Sequence, residues 1–526
     1  MKKRSLRAAL ASGLIAFTAG MVGPASIQFA YSQEKVKTEK VLTIAVPFGP
    51  KSSVPDPRAR QNGWLSNRAG VSETLVGLDY QMKMFPRLAE SYRNVSPTQW
   101  EFTLRENVKF HDGSELTAQL VKDSFLKLND KDHSAYNPRL IKLLNIKEIS
   151  VKDDRTLVFE TNEPNSAFIW SLTEPTASVI KEGTEKLPII GTGPFVFVSA
   201  EAEKNYHTKA FADYWGGKPK LDGIVMDAIS DASVAALALK AGDVDLVTNY
   251  SEPDFAALEK SNQGQRFEGA TTRLFFYQAR TADGPLANKE LRQAISLGLD
   301  RDLIVEAALA GVGGDPAHSI FPVTMKSWVN QALEASYDRD KALEILDNAG
   351  LKDTNDDGIR EIDGENIVLK LRSYEGRPAL KPTLEVTQAL LSKLGLKVEI
   401  SMGEYQANND ALKLGEIHMH LQAWGTAPQG DPDYFPSTLL DSEAGYNFSG
   451  YNNPKLDALL EKGRGEFDPA KRKVIYDEIQ EIIAEDLPLI PVFHKTQVSV
   501  GNGKVKGYRI HPAETYLASP ELDIEG

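Results

Sequence analysis

The chain has 526 residues, 60 Lys+Arg against 73 Asp+Glu for a formal charge of -13, 41% hydrophobic residues, eight His and no Cys. A single hydrophobic core stops growing near ~250–300 residues, so at least two lobes of a folded soluble protein are expected. The missing Cys excludes disulfides, thiolate metal sites, thiol catalysis and a lipid anchor on Cys, and the net negative charge argues against nucleic acid as a partner.

Residues 1–32 read as a secretory signal. Lys2, Lys3, Arg4 and Arg7 are its positive region, 8–22 its apolar run, and Ala30-Tyr31-Ser32 its small-residue site ahead of cleavage before Gln33. The apolar run falls short of the ~20 residues that span a bilayer. An exported chain is expected, and with no Cys to tether it a Gram-negative periplasm fits best. Val41 to Val46 is a short apolar run predicting a buried strand, and Phe102 to Arg105 alternates. Thr117 is placed to cap a helix carrying Leu120, Val121 and Phe125, and Thr156 to Glu160 predicts a strand. A helix over 232–241 stops at Gly242, with a strand at 244–247. Two helical stretches lie within 286–309. A helix over 382–394 ends at Gly395 ahead of the strand 397–400, and a long helix over 470–484 is stopped by Pro488 and Pro491. This alternation predicts α/β lobes.

Catalytic signatures are missing: no G-x-S-x-G, no H-E-x-x-H and no P-loop, so a secreted hydrolase is the remote reading and no enzyme is expected. Asp353-Thr354-Asn355-Asp356-Asp357-Gly358 matches the first half of a calcium loop, but its twelfth position is Gly364, with Glu365 one residue late; an acidic turn explains it equally. His418 and His420 share one face if their segment is a strand, as a metal pair or as ordinary surface or core residues.

Several stretches together resemble the family 5 extracellular solute-binding proteins, receptors of ABC importers for peptides, nickel and metal–metallophore complexes. They are Glu73 to Leu78 with Pro86 to Ser91, Trp100 to Arg105 continuing to Val108-Lys109-Phe110-His111-Asp112-Gly113, Gly191-Thr192-Gly193-Pro194-Phe195, Asp213-Tyr214-Trp215-Gly216, and Leu291 to Ile295 with Asp300-Arg301. The resemblance implies a two-lobe periplasmic binding protein of type II, cluster C, with an inserted subdomain and a hinged cleft. Its expected parts are a first lobe of 33–76, 186–275 and 496–526, an insertion of 77–185 and a second lobe of 276–495. Ligand closes the cleft only by contacting both lobes. The implied partner is an inner-membrane ABC permease, the expected state a monomer, and no cofactor is permanently bound. A chaperone-like binder of unfolded chains stays open as a side activity.

The same resemblance implies the site residues. Trp424-Gly425-Thr426-Ala427-Pro428 followed by Asp431 looks like the cleft loop of the second lobe. Peptide-binding members place an Asp soon after this Trp to meet the ligand ammonium; here Ala427 and Pro428 stand there, closer to nickel-type members, and Asp431 is the first acid. Arg377 in Ser373-Tyr374-Glu375-Gly376-Arg377-Pro378, and Arg139, sit where metallophore-type members bind carboxylates, for which the guanidinium fork is suited. Tyr446 and Asn447 are candidates for the second-lobe wall. His494 is the candidate metal ligand, one imidazole sufficing where a chelator supplies the rest, with a hydrogen-bonded hinge histidine as the other reading. The favoured ligand is a nickel or similar transition-metal chelate, such as a metal–histidine or metal–opine complex; the alternative is a di- or oligopeptide.

Overall fold

Val41–Val46 forms the strand its apolar run predicts, buried along most of its length and flanked by parallel partners on both sides, Gly223–Ala228 and Leu246–Val247. It belongs to an 11-stranded sheet. Along this sheet lie, in order, Phe195–Glu201, Asn205–Ala210, Gly223–Ala228, Val41–Val46, Leu246–Val247, Leu489–Gly501, Gln265–Ala279, Met419–Gly425, Val368–Tyr374 and Lys397–Gly403; the short Gly314–Pro316 also pairs with Leu489–Gly501. These coordinates, a computed structural model, describe residues 39–333 and 337–525, so the expected signal segment lies outside the described residues.

Two strands join the halves of this sheet. Gln265–Ala279 and Leu489–Gly501 run antiparallel from Gln265↔Gly501 to Gln278↔Leu489, with register shifts between Ala270 and Leu274 and between Phe275 and Phe276. Each shift bends the ribbon locally. The strands on one side pack around Leu42, Ile44, Phe195 and Tyr206, and those on the other around Phe275, Leu371, Leu421 and Phe493. Each half of the sheet thus has its own core, as expected at this length. A separate four-stranded antiparallel sheet orders Ala89–Ser96, Gln99–Leu104, Thr156–Thr161 and Ile146–Val151, over a core built on Phe102, Phe159 and Phe168.

The caps explain where the helices sit. The Thr117 side chain accepts from Leu120 N–H at the start of Ala118–Leu126, and Gly242 closes Ala232–Ala241 at φ +82°. The helix expected over 382–394 is Leu380–Ser392, and the long one is Pro469–Asp486, each begun earlier than its apolar pattern shows. Pro491 stops nothing. It lies inside Leu489–Gly501 at a register shift, where a residue without an N–H is tolerated, and its carbonyl accepts from Arg301 Nε at 2.9 Å. The Gly191-Thr192-Gly193 turn is glycine for space: a Cβ would meet the Val71 carbonyl oxygen at 2.1 Å from Gly191 and that of Gly70 at 2.2 Å from Gly193.

Candidate functional site

Parallel strands in each half end at one cavity. Val46, Pro47 and Phe48 follow the strand Val41–Val46, Thr248 and Asn249 follow Leu246–Val247, and Arg377 lies just past the end of Val368–Tyr374 in the other half. The carboxyl ends of parallel strands are where open α/β sheets bind ligands. Lys495 and Gln497, on the strand shared by both halves, and Arg68, Tyr508, Arg509, His511, Glu514 and Tyr516 also line it.

Cations dominate this cavity. Glu514 accepts from Arg273 Nε at 2.8 Å and from its Nη2 at 2.6 Å, and lies 3.5 Å from Arg68 Nη2. Burial pushes the Glu514 carboxyl up, but Arg273, Arg377 and Arg68 outweigh it and hold the group down at about 2. One carboxylate therefore serves three guanidinium groups. Arg377 feels the shortfall. Its Nε is buried without an acceptor, and burial and then repulsion from Arg273 lower its pKa. Arg68 is lowered too, first by burial, with the Glu514 attraction opposed by Arg273 and Arg377. Such a site stabilises an added anion. The Arg377 guanidinium lies 5.8 Å from the centre of the Phe48 ring, and Arg509 sits 4.0 Å over Tyr80. Lys495 is already neutralised by Glu252 at 2.5 Å.

The other expected residues are engaged elsewhere. Asp431 is a correction to the amine-binding expectation: it is 1% exposed and meets Arg472 through two bonds of 2.5 and 2.9 Å, so neither oxygen is free for a ligand ammonium. Arg139 gives both terminal nitrogens to Glu174, which also accepts from Thr176 and, across to the second half, from Gln429 at 2.8 Å. Beside this link, Ser166 bonds the carbonyls of Arg464 and Gly463. Asn447 is spent inside its own loop, on Asp441, Ser449 and Tyr451. Trp424 donates to the Tyr405 hydroxyl at 2.9 Å and packs edge-on against Tyr446, 5.3 Å between ring centres.

His494 departs from the expected position. Alternation along its strand turns Lys495 and Gln497 to the cavity, while His494 is absent from the lining and sits beside Ser319 and His318. His511 does reach the lining, but its Nε2 meets the carbonyls of Leu78 and Asp79 and its Nδ1 accepts from Ala513 N–H. His418 and His420 do not form a pair: His418 Nδ1 accepts from Lys370 N–H and His420 Nδ1 meets Asn409. Arg68, Arg273 and Glu514 were not legible beforehand, since their meeting depends on segments more than 200 residues apart.

The buried histidines predict a pH response. Burial pushes His111 and His511 down to about 4, and His420 and His494 down to about 3, from an ordinary value of 6.5. The unfolded chain therefore binds the extra protons first. Their contribution to stability is complete above pH 6.5 and is lost as pH falls toward 4 and 3, at about 1.4 kcal/mol per pH unit for each histidine titrating. Glu514, with its depressed carboxyl, adds a loss only below about pH 4.5. The unfolding midpoint of the ligand-free protein should fall steeply between pH 6.5 and 4; a flat profile there removes the buried neutral histidines.

The profile for bacterial extracellular solute-binding proteins, family 5, middle part, matches residues 83–447. A di/tripeptide-binding protein 1 of Pseudomonas aeruginosa is 30% identical over 82% of this chain and 84% of its own length. A heme-binding protein A of Haemophilus influenzae is 28% identical over 80% and 81%. The crystal structure of a nickel ABC transporter from Bacillus halodurans superposes with a TM-score of 0.73 at 26% identity, covering 92% of this chain and all of the other.

Proposed function

Because the chain belongs to the bacterial extracellular solute-binding proteins of family 5, we propose that its cavity captures a small carboxylate-bearing transition-metal chelate for an ABC importer in the inner membrane. The observation that carries this reading is the charge imbalance: Arg68, Arg273 and Arg377 around Glu514, with Arg377 Nε lacking an acceptor. A ligand carboxylate meets Arg377 through charge-assisted bonds and relieves the repulsion among the arginines. No lining histidine nitrogen is free, so the metal keeps the ligands of its own chelator, as in a nickel–histidine or nickel–opine complex, and the protein reads the chelate's carboxylates. Likeness to a nickel transporter structure and to a heme-binding relative supports a metal chelate.

The peptide reading draws on the di/tripeptide-binding relative. Against it stands the lack of a free acid for the peptide ammonium: Asp431 is taken by Arg472, and Glu514, the lining carboxylate, is taken by arginines. Binding draws the halves together because Arg377 belongs to one and Arg68 to the other. The closed state is thus favoured by the ligand's differential contacts.

Thermal unfolding of the mature protein with nickel alone, histidine alone, nickel plus histidine, and a peptide pool tests the reading. A ligand at ~100 times its dissociation constant stabilises the fold by about 2.7 kcal/mol. A rise only with nickel plus histidine is the expected result. A rise with peptides alone overturns the chelate assignment.

A further inference from the structure

Away from the cavity, the turn leading from helix Arg339–Asn348 toward strand Val368–Tyr374 has a local order of its own. Asp353 accepts the backbone N–H of Asp357 at 3.2 Å and of Gly358 at 2.8 Å, and Asn355 Oδ1 accepts that of Asp357 at 2.9 Å. Asp356 and Gly358 take positive φ, 62° and 85°, curling the segment back on itself. These bonds keep the oxygens of the first and third positions in the turn; those of the fifth, Asp357, accept from Ile359 N–H at 2.8 Å and from Asn366 Nδ2 at 2.6 Å, and each oxygen retains a further lone pair. Turn chemistry alone accounts for all of this.

Glu361, at the ninth position, is what turn chemistry does not explain. It is 7% exposed, Thr354 Oγ1 of the same loop donates to its Oε2, and its Oε1 is buried without any partner. A carboxylate oxygen taken out of water with no donor is costly. A cation at this position would supply that partner.

We propose that this loop binds one calcium ion through the carboxylates of Asp353, Asp357 and Glu361, the Asn355 amide oxygen and the Ile359 carbonyl. All five donors are oxygen, which favours a hard cation over nickel or zinc. Glu361 supplies the late carboxylate that Gly364 cannot. Among the described residues no three acidic or histidine side chains are gathered as a ready metal site, so binding draws Asp357 and Glu361 inward and orders the turn as it proceeds. That ordering puts the affinity with the weak extracellular modules, ~10⁻⁴–10⁻³ M. None of these residues lines the cavity, so the ion steadies the second half of the sheet without touching the solute.

Calorimetric titration of EDTA-treated mature protein with calcium, and separately with magnesium, tests this together with thermal unfolding. One saturable calcium site, weaker magnesium binding and a calcium-dependent rise in the unfolding midpoint are expected. Glu361→Gln keeps an acceptor for Thr354 and removes the charge; it should bind calcium at least tenfold more weakly, with a midpoint in EDTA no lower than wild type. Asp357→Asn should weaken calcium similarly. No saturable binding at ~10 mM calcium overturns the assignment. So does wild-type affinity in Glu361→Gln, or a midpoint for that variant lowered in EDTA, which assigns the carboxylate to the fold itself. Solute binding at the cavity stays unchanged in both variants, so failure here is distinct from failure of the chelate reading.

Discussion

Arg377→Ala should weaken binding of a carboxylate-bearing chelate by about 1.5–3 kcal/mol, the scale of a charge-assisted hydrogen bond, or roughly ten- to a hundred-fold. The same change should leave the unfolding midpoint of the ligand-free protein level or slightly raised. That pairing of effects follows from the electrostatics. In the empty site burial and repulsion from Arg273 outweigh the attraction of Tyr374 and Glu514 for Arg377, and its Nε has no acceptor, so its removal costs the fold little. On the chelate reading the same guanidinium faces the ligand's negative charge. Titration calorimetry on the variant, beside its melting curve, separates the two. Affinity within error of wild type takes Arg377 out of the site, and a large drop in the ligand-free midpoint means that its role is packing against Phe48.

Asp431→Ala carries the second large effect, and its sign falls on the fold. Asp431 and Arg472 are 1% and 4% exposed and share two short bonds, and Arg472 also reaches the Gly463 carbonyl at 3.0 Å. Arginine stays protonated, so removing its partner leaves a buried charge uncompensated, at a cost of about 3–5 kcal/mol. The urea midpoint should fall accordingly, with chelate affinity of the remaining folded protein little changed. Near wild-type stability with lost peptide affinity would return Asp431 to the amine-binding role that its place after Trp424 suggests.

These two residues also mark the boundary of what a sequence reader can see. Arg377 was named from family resemblance, on the Ser373-Tyr374-Glu375-Gly376-Arg377-Pro378 stretch, and the fold puts that stretch just past the end of Val368–Tyr374, beside the cavity. The calcium-like loop was legible in itself, since six consecutive residues carry its pattern; the unpartnered Glu361 oxygen was not, because it depends on burial. Asp431 was misread for want of its partner. Arg472 lies 41 residues on, in the middle of a helix, and nothing in its neighbours announces a pairing with the Trp424 loop.

By itself the amino-acid sequence determined the α/β class, the positions of several strands and helices and the family, because periodicity, caps and short motifs are properties of neighbouring residues. Only the tertiary structure decided which charges meet. Arg68, Arg273, Arg377 and Glu514 come from four separate stretches of chain, and only folding buries them together, three cations around one anion. His494 shows the same limit in reverse: it was expected in the cleft, but which face of its strand meets the cavity is set by register, and a one-residue difference hands the position to Lys495.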